Sequence, residues 1–169
     1  MSHIIVCGLN KAQAQIDLHG AASVIGILGP DTPHPAYSGI QPERHLRLTF
    51  SDINEPTQGL IHATEDDAHR LVRFITDWDR KAPMVIHCWA GISRSTASAF
   101  TALCVLNPTA DEMELAQLLR EASPSATPNR LITARVDEVL GRGGRMVRAV
   151  ESIGRGANAY EGTPFVLKI

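Results

Sequence analysis

The sequence has too few cysteines to form a disulfide framework. Its 169 residues contain three, which are Cys7, Cys88 and Cys104. Proteins that depend on disulfides carry an even set of cysteines, usually in a much shorter chain. We therefore expect free thiols and a reducing, cytoplasmic location.

Long apolar segments and an excess of one charge are also missing. No run approaches the roughly 18 consecutive apolar residues of a membrane-spanning helix. The starting segment MSHIIVCGLNKAQ lacks the basic lead-in and the cleavage site of a signal peptide. The formal net charge of -2 does not suit a protein that coats nucleic acid or an anionic membrane. We expect a soluble, unprocessed monomer with neither kind of partner.

Patterns typical of metal sites are missing as well. The seven histidines are scattered without the pairing or spacing of metal ligands, so we expect neither a metal nor another cofactor. Apolar residues, in contrast, are plentiful and make up 44% of the chain. This content predicts one compact domain with a real core over residues 1–169.

Short apolar runs alternate with helical patterns in the first two thirds of the chain. Four runs have the continuous or alternating apolar character of strands. They lie at residues 4–9, 23–28, 45–50 and 84–88. Segments with helical spacing lie at residues 11–19, 64–81 and 94–106, and only helical patterns follow, near residues 109, 131–140 and 144–153. We predict an α/β fold with a small, largely parallel central sheet flanked by helices and a helical C-terminal third.

Two of the predicted helices begin with a capping pattern. Thr64 is followed three residues later by Asp67, and Thr109 is followed three residues later by Glu112. In such a capping box, the side chain of each residue accepts a hydrogen bond from the backbone N–H of the other. We therefore expect one helix to begin after each threonine.

The stretch VIHCWAGISRST, residues 85–96, joins the fourth predicted strand to the next helix. A helix N-terminus presents unpaired N–H groups and the positive end of the helix dipole, so a loop entering it can surround an oxyanion. Gly91 permits the turn, and the guanidinium of Arg94 can match two phosphate oxygens. The same groups favour the thiolate form of Cys88, which is the nucleophilic form. The stretch thus predicts a nucleophile at an anion site.

The motif HCWAGISRS resembles the active-site signature of the cysteine-based protein tyrosine phosphatases, in which a cysteine, five residues and an arginine form the phosphate loop. The resemblance is closest to the small dual-specificity phosphatases. LTFSDINEP and SATPNRLITARV are similar to further segments of that family. The resemblance implies a phosphate loop between the central strand and a helix. Its implied phosphate-binding residues are Cys88, Trp89, Ala90, Gly91, Ile92, Ser93 and Arg94.

The resemblance also implies roles for single residues. Cys88 is the implied nucleophile, Arg94 holds the phosphate, and Ser95 steadies the thiolate when it departs. Ser95 could also be an ordinary helix cap. His87 orders the loop through hydrogen bonds, and Trp89 either shapes the loop wall or covers the scaffold.

A carboxylic acid has to protonate the leaving oxygen while the thiolate attacks. Asp52 is the predicted acid because it lies on the loop that leaves the third strand, where the family has its aspartate. Asp31, on the loop GPDTPHP, is the rival candidate, and Glu55 could serve only if the loop were folded differently. Asp66 and Asp67 are interpreted as first-turn acids of a helix.

The two cysteines outside the motif are interpreted as buried apolar side chains. Cys104 lies too far along its helix to reach Cys88. Cys7 could approach Cys88 if its strand neighbours the central one, and a redox role for Cys7 stays open.

These features predict a phosphatase that hydrolyses phosphate monoesters through a phosphocysteine, without a metal. Family members that act on inositol lipids resemble one another in having lysines in the loop, and this loop has none. A phosphorylated protein is therefore favoured as the substrate over a small phosphate ester. Two alternatives are a rhodanese-type sulfurtransferase and a non-catalytic phosphate-binding module. Ser95 and the Asp52 loop argue against the first, and the presence of both a nucleophile and an acid argues against the second.

Overall fold

One sheet of five strands forms the centre of the molecule. The computed structural model describes residues 2–169. Its strands are β1 (His3–Gly8), β2 (Ser23–Leu28), β3 (His45–Thr49), β4 (Met84–Cys88) and β5 (Phe165–Lys168). They are ordered β3-β2-β4-β1-β5, with β1 to β4 parallel and β5 antiparallel to β1. The predicted α/β fold with a largely parallel sheet is confirmed.

Helices cover both faces of the sheet. In the described residues they are α1 (Ala12–His19), α2 (Glu65–Thr76), α3 (Arg94–Leu106), α4 (Glu112–Ala122), α5 (Arg130–Leu140) and α6 (Arg145–Ile153). Ile5 and Val85 pack with α1 on one face, whereas Ile4 and Ile86 pack with the other helices on the opposite face. Because both faces are covered, the central strands are apolar at successive positions.

Helix α3 lies in the middle of the larger core. Every residue from Arg94 to Cys104 is buried. The small side chains of RSTASAFTALC allow this close packing, because alanine, serine and threonine leave room for neighbouring elements.

No helix in residues 2–169 is long and apolar enough to cross a membrane.

One predicted capping box is confirmed and the other is wrong. Thr64 and Asp67 exchange the expected hydrogen bonds at the start of α2, which ends at Thr76 and therefore earlier than predicted. Helix α4 is capped by Asp111, whose side chain accepts from the N–H groups of Met113 and Glu114. An aspartate directly before the helix competes successfully with Thr109, because its carboxylate also interacts favourably with the helix dipole.

The helical C-terminal third also contains a strand that the sequence did not predict. In β5, Phe165 and Leu167 are buried and Val166 and Lys168 are exposed, as expected for a strand at the sheet edge. Four residues of alternation are too short to distinguish a strand from a loop. The segment that leads to β5 passes beside the motif of residues 85–96.

Candidate active site

The predicted phosphate loop connects the central strand to the buried helix. Cys88 is the last residue of β4 and Arg94 is the first of α3, so residues 89–93 form the turn. In parallel sheets, ligands bind outside the carboxyl ends of the strands. At this edge, the loops that follow β2 and β3 meet the loop that follows β4.

Gly91 allows the loop to fold against the neighbouring strand. Its φ angle is 74°, which favours glycine, and a Cβ atom there would lie 2.7 Å from the carbonyl carbon of Cys7 and 2.7 Å from the nitrogen of Gly8. Those are backbone atoms of β1 and cannot rotate away. The turn therefore requires glycine for two separate reasons.

We expect Gly91→Ala to lower phosphate release from para-nitrophenyl phosphate at least about 10-fold and to destabilise the fold by about 2 kcal/mol, because the loop has to move to admit the methyl group. Gly39→Ala is the matched control: Gly39 has a φ of 81° with no atom within 4 Å of the added Cβ. The control should lose stability without losing activity. Thermal unfolding and phosphate release measure the two effects, and equal losses of activity would contradict the steric explanation.

Cys88 is held at the base of the loop with polar groups around its sulfur. The residue is 2% exposed. The backbone N–H of Gly91 donates to its Sγ over 3.2 Å, and the Oγ of the buried Ser95 lies 3.2 Å from the same atom. Both groups can donate to a negatively charged sulfur. The arrangement brings the predicted nucleophile and the predicted hydroxyl together.

Arg94 is buried beside the loop, and one of its buried donors has no partner. The residue is 8% exposed, and its Nη1 donates to the backbone carbonyl of Phe50 over 3.1 Å. Its Nε is buried and has no hydrogen-bond partner in residues 2–169. An unpaired buried donor is costly in a protein that binds nothing there. A phosphate oxygen is the kind of acceptor that this donor fits.

Asp52 is hydrogen-bonded directly to the loop of residues 89–93. Its Oδ1 accepts from the Oγ of Ser93 over 2.7 Å and from the Nδ2 of Asn129 over 3.0 Å. Asn129 also donates to the carbonyl of Ile53, and its own Oδ1 caps α5 by accepting from the N–H of Ile132. With Oδ1 occupied, the other carboxyl oxygen is left to exchange a proton.

A cleft of about 490 Å³ lies beside the loop and is lined by Asp52 and Arg94. Its lining comes from the loops that follow β2, β3 and β4: Gly29, Pro30, Asp31, Thr32, Ser51, Asp52, Gly59, Leu60, Ile61, Trp89 and Arg94. In the described part of the chain, no group of three or more histidine, cysteine or acidic side chains is arranged to hold a metal. The cleft thus combines one cation, two carboxylates and apolar side chains.

The sequence matches no protein-family model and no curated protein, so the comparison depends on solved structures. DUSP15 superimposes with a TM-score of 0.64 at 17% identity, over 89% of this chain and 96% of that one. Human DUSP28 gives 0.61 at 16% identity, over 89% and 95%. The human tyrosine phosphatase-like serine/threonine/tyrosine-interacting protein gives 0.60 at 16% identity, over 84% and 97%. The chain has the fold of the dual-specificity phosphatases.

In this dual-specificity phosphatase fold, both candidate acids lie at the cleft. Asp31 lines it together with Asp52, whereas Asp66 and Asp67 lie in the first turn of α2, as expected for helix acids. Only Asp52 is hydrogen-bonded to the phosphate loop. Glu55 follows Asp52 on the same loop and is exposed.

His87 faces away from the cleft, where it supports the loop from behind. It is fully buried, and burial lowers its pKa to about 4, so the ring is neutral at neutral pH. Its Nδ1 lies 3.3 Å from the Cys88 carbonyl, which can only accept, and its Nε2 lies 2.9 Å from the Tyr37 hydroxyl. The ring therefore donates to Cys88 and accepts from Tyr37. This contact fits the predicted ordering role.

Cys7 does not face Cys88 although their strands are neighbours. Gly8, not Cys7, is opposite Cys88 in the register, and the two cysteine side chains belong to clusters on opposite faces of the sheet. Burial raises the pKa of Cys7 to about 12, and the nearby Cys88 adds to the rise. Burial likewise raises the pKa of Cys104 to about 12. Both thiols are packed as apolar groups.

Sequence reasoning missed Asn129 and Tyr37. Asn129 follows a proline and precedes a helical pattern, which is a recognisable N-cap signal, although nothing in the pattern pointed to Asp52. Tyr37 lies in the long loop between β2 and β3, where neither periodicity nor a motif marks it. The hydrogen bonds of Asn129 with Asp52 and of Tyr37 with His87 both join residues that are far apart in the chain.

Proposed function

We propose that this chain is a cysteine-dependent phosphatase that hydrolyses phosphate monoesters through a phosphocysteine intermediate. The observation that supports it best is the hydrogen bond between Asp52 and Ser93, because Ser93 belongs to the loop that also holds Cys88 and Arg94. The nucleophile, the anion clamp and the proton donor that we propose thus belong to one loop and to the aspartate hydrogen-bonded to it.

In the first step, the Sγ of Cys88 attacks phosphorus as the bond to the leaving oxygen breaks. Asp52 transfers its proton to that oxygen, so an alcohol or a phenol departs. Arg94 and the N–H groups of residues 89–93 hold the three remaining phosphate oxygens. The charge that develops in the transition state then meets donors that are already oriented.

In the second step, a water molecule attacks phosphorus and the sulfur–phosphorus bond breaks. Asp52, now a carboxylate, takes the proton of that water, and inorganic phosphate is released. Ser95 lies within hydrogen-bond distance of Sγ and donates to the departing thiolate. The enzyme returns to its starting state without a metal or cofactor.

The substrate we propose is a phosphorylated protein, with phosphotyrosine as the first candidate. The loop contributes Trp89, Ala90, Ile92 and Ser93 and no lysine, so it lacks the additional cations that suit a highly charged inositol phosphate. A small phosphate monoester is the next candidate. We further propose that the chain acts as a monomer in the cytoplasm.

A binding module without catalysis is the second candidate function. The observation in its favour is that one protein of the same fold is named a phosphatase-like interacting protein. A sulfurtransferase is disfavoured, because transfer of sulfur requires no acid of the kind that Asp52 supplies.

Release of phosphate from para-nitrophenyl phosphate separates these functions. The intact chain should turn over, and thiosulfate should leave no persulfide on Cys88. Binding of phosphate without any turnover would instead favour the binding module.

Asp52→Asn tests the assignment of the acid. We expect hydrolysis of phenyl phosphate to fall roughly 100-fold, because an amide cannot protonate the leaving oxygen. Hydrolysis of dinitrophenyl phosphate should fall much less, since its leaving group departs as a stable anion. Steady-state rates for the two esters measure the difference.

Asp31→Asn is the control, because Asp31 lines the same cleft without a bond to the phosphate loop. It should change neither rate by more than about twofold. If Asp31→Asn produced the leaving-group dependence and Asp52→Asn did not, the acid would lie on the loop after β2.

A further inference from the structure

The cleft beside the phosphate loop contains one charged side chain that the proposed reaction does not use. Its charged lining residues are Asp31, Asp52 and Arg94. Asp52 is hydrogen-bonded to Ser93 and Asn129, and Arg94 is the proposed phosphate clamp. Asp31, in contrast, is exposed and takes part in none of the ion pairs of the described residues. Its carboxylate is therefore available to a ligand.

A tight turn holds Asp31 at the cleft. The N–H of Thr32 donates to the carbonyl of Gly29 over 3.1 Å, which closes a β-turn with Pro30 and Asp31 as its two central residues. Proline suits the first central position, because its ring fixes the φ angle that this position requires. The backbone that carries the carboxylate is therefore ordered before a ligand arrives.

The same turn lies close to the proposed anion site. A Cβ atom on Gly29 would lie 3.9 Å from the Nη1 of Arg94. Asp31 is two residues from Gly29, and two residues span at most about 7 Å. A ligand whose phosphate lies at Arg94 therefore needs only a few more bonds to reach the Asp31 carboxylate.

The remaining lining of the cleft strengthens the effect of this charge. Leu60, Ile61 and Trp89 line the cleft with Asp31. Apolar side chains exclude water, and a charge interaction is stronger where less water screens it. An indole ring also attracts cations to its face. The surroundings of Asp31 thus favour a positive group on the ligand and disfavour a second anion.

We propose that Asp31 binds a positively charged group of the substrate, so that the cleft selects phosphate esters whose leaving group carries an ammonium or a guanidinium. The proposal rests on the function proposed above and narrows the class of substrate. Asp31 is then a specificity-determining residue that takes no part in breaking the ester bond. Phenyl phosphate and dinitrophenyl phosphate carry no cation, which is why Asp31→Asn leaves their rates unchanged.

Two phosphonates test the cation site without requiring turnover. 3-Aminopropylphosphonate carries an ammonium group where butylphosphonate carries a methyl group. In calorimetric titrations at low ionic strength, the affinity ratio of the first ligand to the second should fall about fivefold in Asp31→Asn, the size expected for a favourable exposed ion pair. Asp31→Glu retains the charge and should retain most of the ratio. Any effect of the lost charge on the phosphonate itself is common to both ligands and cancels.

Asp66→Asn is the matched control, because Asp66 is an exposed acid in the first turn of α2 that does not line the cleft. It removes the same charge from another place and should leave the ratio unchanged. An unchanged ratio in Asp31→Asn, or an equal fall in Asp66→Asn, would overturn the proposal. If the ratio falls only in Asp31→Asn but the intact chain hydrolyses no phosphate ester, the cation site stands and the proposed phosphatase activity fails.

The cation could belong to a small aminoalkyl phosphate or to a basic residue of a phosphorylated protein. Phosphoethanolamine represents the first source, and a phosphotyrosine peptide with a lysine beside the phosphotyrosine represents the second. The higher kcat/KM identifies the source. Asp31→Asn should lower that value about fivefold and leave the same peptide with norleucine in place of lysine within about twofold. Turnover of the better substrate that does not depend on Asp31 would contradict the proposal.

Discussion

Replacing Cys88 with serine is expected to lower phosphate release from para-nitrophenyl phosphate by at least roughly 1,000-fold, because a hydroxyl in the same position ionises too weakly to attack phosphorus. The surrounding donors are unchanged in the variant. The Gly91 N–H and the Arg94 guanidinium remain in place, so the anion site should persist. Inorganic phosphate should therefore bind Cys88→Ser with nearly the affinity of the intact chain, which a calorimetric titration measures.

Cys104→Ala is the matched control for this prediction. Cys104 is fully buried in α3, and it is packed as an apolar group away from the cleft. Its replacement should cost about 1 kcal/mol of stability and leave turnover unchanged. Residual activity above about 1% in Cys88→Ser, or an equal loss in Cys104→Ala, would remove Cys88 from the role of nucleophile.

The strand-turn-helix arrangement around Cys88 could be predicted from the sequence because its pattern is local. The strand, the turn and the helix follow one another within residues 84–106, so the spacing of Cys88, Gly91 and Arg94 fixes which groups meet. The carboxyl edge of a parallel sheet is also a general place for ligand sites. Asp52 could be placed at that edge for the same reason, since it follows a predicted strand.

Contacts between distant segments could not be predicted in the same way. Asp52 is fixed by Asn129, and Cys88 is supported through His87 by Tyr37, in pairs with long separations along the chain. A hydrophobic pattern reports which face of an element is buried and gives no information about which loop covers it. The contact between residues 154–164 and the motif could not be predicted for this reason. The glycines and polar residues of this segment resemble those of an ordinary connection.

The position of Cys7 shows that knowing strand order is not enough. Cys7 could approach Cys88 only if its strand neighboured the central one, and β1 and β4 are indeed neighbours. The register, however, pairs Cys7 with His87. Residues that alternate along a strand point to opposite faces, so one step in register places the two side chains on opposite faces of the sheet. Register depends on packing around the whole strand and cannot be inferred from one motif.

Arg94→Lys is expected to lower kcat/KM for para-nitrophenyl phosphate by roughly 1,000-fold, within the range known for an arginine that stabilises a transferring phosphoryl group. Lysine keeps the positive charge, so the loss measures geometry. The guanidinium uses Nη1 to hold the Phe50 carbonyl and has Nε still unpaired beside the loop. An ammonium group offers a single point of charge and cannot hold the carbonyl and two phosphate oxygens at the same time.

Arg148→Lys provides the control for this substitution, because Arg148 is an exposed arginine on α6 that does not line the cleft. Inhibition by inorganic phosphate should weaken in Arg94→Lys and stay the same in Arg148→Lys. If Arg94→Lys retained both turnover and phosphate inhibition, the unpaired Nε would not bind phosphate. The anion site would then depend on backbone N–H groups alone. If it lost turnover but kept phosphate inhibition, Arg94 would act on the transition state more than on the bound phosphate, since only interactions that strengthen during the reaction accelerate it.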